Sequence, residues 1–287
     1  MTDGEQRALS SEIRQLRRRL ETTEGAMLRA ETLKSAYDGQ RRQLNQMAAA
    51  VQRYLPSSYP EMGGLLVAGS CRPCADLGGD FFDAVELRDG RIAVTMADVS
   101  GHGAVAAILM ASSRALLRAS LAEISPSEGP AAVMYRLARW LSSEFLETEF
   151  VTMWLGIYDR DAGTLRYAAA AHPTAIIWRR GEPDPVYLHS ENGIPLGLAG
   201  LDPERPPEHE IEFREGDRLF LYTDGWTESP SRDGVLLEGP ALLDLFANSA
   251  GQTVDMVPLM LFTELDRHLA DSRIRDDISL LVVDRLL

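Results

Sequence analysis

Cysteine is almost missing from this chain of 287 residues: there are two, Cys71 and Cys74, spaced as one C-x-x-C. A structural zinc site needs four nitrogen or sulfur ligands, and neither a second C-x-x-C nor a nearby histidine pair is present. A thioredoxin-like pair would want a strand before it and a helix after it, whereas a Gly-Gly turn and a strand follow here. The two cysteines therefore read as small apolar residues near a strand end. Long apolar runs are missing too. None approaches the roughly 18 residues of a membrane span, and the N-terminus lacks the apolar core of a signal peptide. Positive charge is in short supply, with a net charge of −14 and a pI near 4.8. That excludes nucleic acid and an anionic membrane as expected partners and fits a cytoplasmic protein.

What the chain does have is enough apolar and aromatic material for a real core, with 45% hydrophobic residues, 4 Trp, 8 Tyr and 8 Phe. Residues 1–55 differ from the rest. They are rich in Arg, and Leu9, Ile13, Leu16 and Leu20 follow the 4-3-4 spacing of a coiled-coil seam. A second register runs through Leu33, Tyr37, Gln40, Leu44, Met47, Val51 and Tyr54, offset by a three-residue slip. This predicts a helical coiled-coil arm over 1–55, pairing as a parallel homodimer, and a separate domain over 56–287. Pro56 and Pro60 end the arm.

Beyond the arm, the patterns predict a strand over 65–70 and a hairpin turning at Asp89-Gly90. A core helix follows from Ala104, and an amphipathic helix over 131–147. Strands are predicted at 150–158, 164–171, 175–189 (a hairpin), 208–213 and 217–223. Helices at 239–248 and 253–270 precede a last strand from Ile278. No regular βαβ alternation appears, so the class is α+β, with antiparallel sheets carrying helices on their outer faces.

Four acidic positions share one local pattern. Asp80 follows Gly-Gly, Asp98 ends a strand before a glycine-rich turn, Asp224 ends a strand before Gly225, and Asp276 with Asp277 opens the last strand. A strand end beside a turn puts a short, stiff carboxylate at the rim of a sheet. The hairpin brings Asp80 and Asp98 together at its open end, where two carboxylates repel unless a cation or a proton lies between them. Four such groups suit two octahedral Mg²⁺ or Mn²⁺ ions. With Ser100 outside any G-x-S-x-G elbow, the chemistry that fits is attack of a metal-activated water on a phosphoester. His102 is a candidate general acid for the leaving alkoxide and equally a loop residue at the next helix. His172 reads as structural.

Gly78-Gly-Asp-Phe-Phe-Asp83, Ala97-Asp-Val-Ser-Gly-His-Gly103, Tyr222-Thr-Asp-Gly-Trp-Thr-Glu228 and Asp276-Asp-Ile-Ser279 stand in the order and spacing of the SpoIIE-type PPM phosphatases. These are bacterial relatives of protein phosphatase 2C that include RsbU-like regulators. The resemblance covers roughly residues 50–287. It implies an α-β-β-α sandwich of two antiparallel sheets flanked by helices, and a Mn²⁺- or Mg²⁺-dependent serine/threonine phosphatase. It places metal ligands on Asp80, Asp98, Asp224, Asp276 and the carbonyl of Val99, with Asp277 the lesser member of its pair. It also implies a phosphorylated STAS-domain anti-anti-sigma factor as substrate, and an upstream sensor or receiver domain acting through the arm. The chain departs from the family's Ala-Gly-His-x-Pro at Ala170-Ala-His-Pro173. Two other readings stand beside it. One is a catalytically silent dimeric adaptor on the same fold. The other is a diguanylate cyclase, whose Gly-Gly-Asp/Glu-Glu-Phe hairpin the run Gly78–Phe82 resembles.

Overall fold

The computed structural model describes residues 34, 35, 39, 56, 58–144, 149–190, 193–198, 200–270 and 272–286. The chain divides into two units, 1–47 and 48–287, and the second is the one described below. The expected coiled-coil registers and the homodimer they would form lie outside the described residues.

Among the described residues, ten strands form two five-stranded antiparallel sheets. One sheet has the order β1 (Leu65–Arg72), β10 (Ile278–Arg285), β9 (Arg218–Tyr222), β6 (Ala175–Trp178), β7 (Val186–Leu188). The other has the order β2 (Phe81–Glu86), β3 (Ile92–Val99), β4 (Val151–Asp159), β5 (Thr164–Ala170), β8 (Glu208–Glu212). Helices α1 (Ala104–Ala122) and α2 (Pro130–Glu144) cover the second sheet, and α4 (Pro240–Asn248) and α5 (Met256–Leu269) cover the first. A single turn, α3 (Gly225–Glu228), follows β9.

The pleat explains the layering. On β3, Ile92, Val94 and Met96 point between the sheets and meet Trp154, Tyr158, Leu219 and Leu281. Ala93, Ala97 and Val99 point the other way, under α1 and α2. A strand buried on both faces reads as a continuous apolar run, as this one does. Phe220, Leu280 and Val282 face outward from the first sheet onto Phe246, Val257 and Leu261. The α-β-β-α sandwich expected from the sequence is the fold observed.

Two features go beyond the sequence reading and one differs from it. The segments around Arg214–Asp217 do not pair with each other: β8 joins β5, while β9 joins β10 and β6. The chain therefore crosses between the sheets there, in a turn closed by Arg214 N–H donating to Asp217 Oδ2 at 2.8 Å. Residues after Asp224 turn directly into α3. Finally, α1 is long and apolar enough by composition to cross a membrane, although no such run was expected. Its Ala106, Met110, Leu117 and Leu121 are buried in the domain, and Arg114 and Arg118 pair with Asp83, so it serves as a core helix.

Candidate metal centre

Strand register builds the site. Phe81 pairs with Ala97, and one step further out Asp80 faces Asp98 at the open end of the β2–β3 hairpin. In the other sheet Tyr222 pairs with Leu280, and Thr223 N–H donates to the Ser279 carbonyl at 3.2 Å. Asp224 and Asp276 lie just beyond that pairing. The ends of β2, β3, β9 and β10 thus share one edge of the sandwich, with two carboxylates on each sheet.

Close packing of backbone holds this edge together. A Cβ on Gly79 would stand 2.6 Å from the Val99 carbonyl oxygen, so only glycine admits that approach. Gly225 lies against the Asp277 carbonyl, and any side chain there would overlap it. The sequence pattern of Gly225 suggested a turn, but its requirement is room for a neighbouring strand.

Burial and mutual repulsion dominate the electrostatics. Asp80 is 2% exposed and its carboxyl is pushed well above the usual range, first by burial, then by Asp98 and Asp277. Asp98 is pushed up to about 7 by burial and by the charges of Asp224 and Asp276. Asp224 and Asp276 are both raised, by burial first, then Asp224 by Asp276 and Asp276 by Asp277. Thr223 Oγ1 donates to Asp80 Oδ2 at 2.9 Å, while Asp80 Oδ1 is buried with no hydrogen-bond partner. Among the described residues, no Lys or Arg pairs with Asp80, Asp98, Asp224, Asp276 or Asp277. A set of converging carboxylates with an orphaned buried oxygen and no cationic side chain suits oxygen-ligated divalent cations.

The remaining candidates divide. His102 is exposed at the rim, and its charge favours the ionised form of Asp276. His172 has its Nδ1 2.9 Å from Thr152 Oγ1 and its Nε2 enclosed, and desolvation pulls it down to about 3. Thr152 is the register partner of Asp98, so this histidine braces the strand beside the site. Asp277 is 2% exposed, and its two oxygens accept the N–H groups of Cys74 (2.8 Å) and Gly79 (2.6 Å). It ties the loop before Asp80 to the start of β10. Asp83, grouped with Asp80 in the sequence, points elsewhere. It is buried against Arg118 (2.6 Å) and Arg114 (3.0 Å) of α1. Arg72 is held by Asp266 and lies over the Phe262 ring.

Sequence reasoning gave no role to Thr223 or Trp226 and read Cys74 as a small apolar residue near a strand end. Trp226 is fully buried and its Nε1–H donates to the Ser279 carbonyl at 2.9 Å, fixing α3 directly after Asp224. The Thr-Asp-Gly-Trp run was the available signal. Cys74 lies beside Asp276 and Asp277, and burial, then Asp277, pushes its thiol up to about 11.

Comparison with known proteins agrees with this architecture. Protein IcfG of Synechocystis is 26% identical over 268 residues, covering 82% of this chain and 40% of its own length. Phosphoserine phosphatase RsbU of Bacillus subtilis is 25% identical over 244 residues, covering 84% of this chain and 69% of its own. The chain thus spans well under half of IcfG and about two thirds of RsbU. The SiaA-PP2C domain of Pseudomonas aeruginosa shares the fold, with a TM-score of 0.74 at 20% identity over 86% of this chain and 97% of that one. The profile of the family described as Stage II sporulation protein E (SpoIIE) matches residues 88–286. With most of its length under that profile, the chain belongs to the SpoIIE family.

Proposed function

We propose that this chain is a metal-dependent protein serine/threonine phosphatase acting on phosphoserine or phosphothreonine. One observation carries the reading. Asp80, Asp98, Asp224 and Asp276 converge from two sheets without a cationic partner among the described residues, and an Asp80 oxygen is left buried and unpaired. These four, with the Val99 carbonyl held against Gly79, would hold two Mn²⁺ or Mg²⁺ ions. When bound, the ions supply an acidified water and neutralise phosphoryl charge. The chain's own groups do the rest. Thr223 orients Asp80, the Asp277 bonds fix the loop that carries it, and His102, exposed at the rim, is the candidate proton donor to the leaving alkoxide.

Membership in the SpoIIE family and the likeness to RsbU favour a small STAS-domain protein as substrate in a partner-switching pathway. We place the enzyme in the cytoplasm and assign residues 1–55 as the helical arm through which it pairs and receives a signal from an upstream sensor or receiver domain. Mn²⁺-dependent phosphate release from phosphorylated STAS proteins of the same genome tests this. Release from one of them supports the reading. Tight Mn²⁺ binding without turnover of any phosphorylated protein or of p-nitrophenyl phosphate would favour the silent adaptor instead.

A further inference from the structure

We infer that a cavity on the outer face of the first sheet, at the end of the domain away from the carboxylates, binds a small organic anion with a flat ring, of the size and chemistry of a nucleoside monophosphate. Strand register lays its floor. Leu66, Asp284, Arg218 and Trp178 stand in one row across β1, β10, β9 and β6. Phe246 near the end of α4 and the turn Arg179–Glu182 between β6 and β7 form its walls. Its volume of about 590 Å³ falls within the roughly 300–1,000 Å³ of small-molecule sites.

The charges in this cavity run against those of the chain. Net charge is −14 overall, yet four arginines line the cavity against two acids, Glu182 and Asp284. Both acids are already engaged. Asp284 takes Arg218 in a two-point bond at 2.6 and 2.7 Å, and Glu182 takes Arg214 at 3.3 Å. Arg218 also donates to the carbonyls of Ser249 and Gln252, which ties the segment after α4 to the floor. Arg285 turns to the Tyr158 ring and the Phe213 carbonyl. Arg179 and Arg180 remain. Arg180 is exposed and forms no ion pair with a described residue. Arg179 is 7% exposed, stays 3.7 Å from Asp217 Oδ2, and leaves its Nη1 without a hydrogen-bond acceptor. A buried guanidinium with an unmet donor is costly. Two adjacent guanidinium groups with no hydrogen-bonded carboxylate suit the oxygens of a phosphate.

Aromatic surface supplies the other half. Trp178 is half-buried in the floor row, and Phe220 and Phe246, stacked at 4.6 Å, also line the cavity. Trp178 directly precedes the two arginines, so one ligand reaches all three: a flat ring on the indole and a phosphate at the turn. The metal centre lies at the opposite ends of the same strands. Arg218 and Asp224 are six positions apart along and just past β9, about 20 Å at the rise of a strand. A ligand here is therefore distinct from the phosphoryl substrate, and its binding needs neither the metals nor turnover.

Calorimetric titration of the full chain with AMP tests it, in EDTA so that no metal holds the phosphate. AMP should bind once per chain with a Kd below about 1 mM. Adenosine and inorganic phosphate, each carrying one half of the ligand, should bind at least about tenfold more weakly. Arg180→Glu changes an exposed side chain and should weaken AMP binding about tenfold or more, whereas the same charge change outside the cavity, Arg267→Glu, should not. Photolabelling with 8-azido-AMP, mapped by mass spectrometry, needs no variant: the label should fall on the peptide that holds Trp178–Glu182. Absence of AMP binding overturns the inference. So does binding that Arg180→Glu leaves intact, phosphate bound as tightly as AMP, or label confined to other peptides.

Discussion

The hydroxyl of Thr223 donates to Asp80 Oδ2 at 2.9 Å and accepts the Ser279 N–H at 2.9 Å, joining a carboxylate of one sheet to the backbone of the other. Removing that hydroxyl strands two buried polar groups. Thr223→Val should therefore cost about 1–3 kcal/mol of stability. It should also weaken Mn²⁺ binding about 10–100-fold, as loss of an orienting partner does. Calorimetric titration and thermal unfolding check both effects. Unchanged affinity would show that the bond serves packing alone.

The carboxylates predict a specific pH dependence for the metal-free protein. The folded pKa of Asp98, about 7, lies above its ordinary value of 3.8. The folded state therefore binds more protons than the unfolded chain between those values. Its stabilising contribution is complete below about pH 4 and is lost as pH rises through 7, by at most about 4 kcal/mol. Metal-free protein should melt at lower temperature at pH 7.5 than at pH 5.5, and saturating Mn²⁺ should reverse that order. Equal melting temperatures at the two pH values without metal would argue against a crowded carboxylate site.

Asp83 provides a contrast within the same motif. Its 1% exposed carboxylate pairs with Arg114 and Arg118, and Tyr59 Oη lies 3.5 Å away. Asp83→Asn should leave Arg114 buried without its counter-ion and cost about 3 kcal/mol. In a unit of this size that lowers Tm by roughly 6–12 °C. The stoichiometry of Mn²⁺ binding should stay the same, whereas Asp80→Asn should change the stoichiometry.

Ala171 occupies the left-handed region, with φ of 52°, a conformation that favours glycine. A β-carbon there is strained by about 1–2 kcal/mol, partly offset by the extra chain entropy that glycine loses on folding. Ala171→Gly should stabilise the domain by about 0.5–1 kcal/mol in denaturant unfolding, and a loss of stability would contradict the strained geometry.

These residues also show what the sequence could and could not reveal. Asp80, Asp98, Asp224 and Asp276 were legible because each stands at a strand end, with Asp80 and Asp224 next to glycine, a local pattern. The hairpin partnership of Asp80 and Asp98 was legible because the Asp89-Gly90 turn sets its register. The crossing between sheets at Arg214–Asp217 was hidden, since a tight turn between strands looks the same whether the strands pair or part. Asp277 stood as the lesser candidate of its pair, and Asp83 shared a motif with Asp80, because local sequence does not say which way a carboxylate turns. Only the third dimension shows one tied to Cys74 and Gly79 and the other to α1. Thr223 went unassigned and Cys74 was read as merely apolar for the same reason, as their partners are 143 and 203 residues away.

The central claim is that Asp98 belongs to a centre whose bound metals drive phosphoester hydrolysis. Its most direct test is steady-state hydrolysis of p-nitrophenyl phosphate by the full chain with Mn²⁺, with EDTA, and with Asp98→Asn in Mn²⁺. The account predicts turnover with Mn²⁺, none with EDTA, and a loss of about 100-fold or more in Asp98→Asn, whose fold should be intact by circular dichroism. Turnover that survives EDTA, or an Asp98→Asn variant as active as wild type, would contradict it.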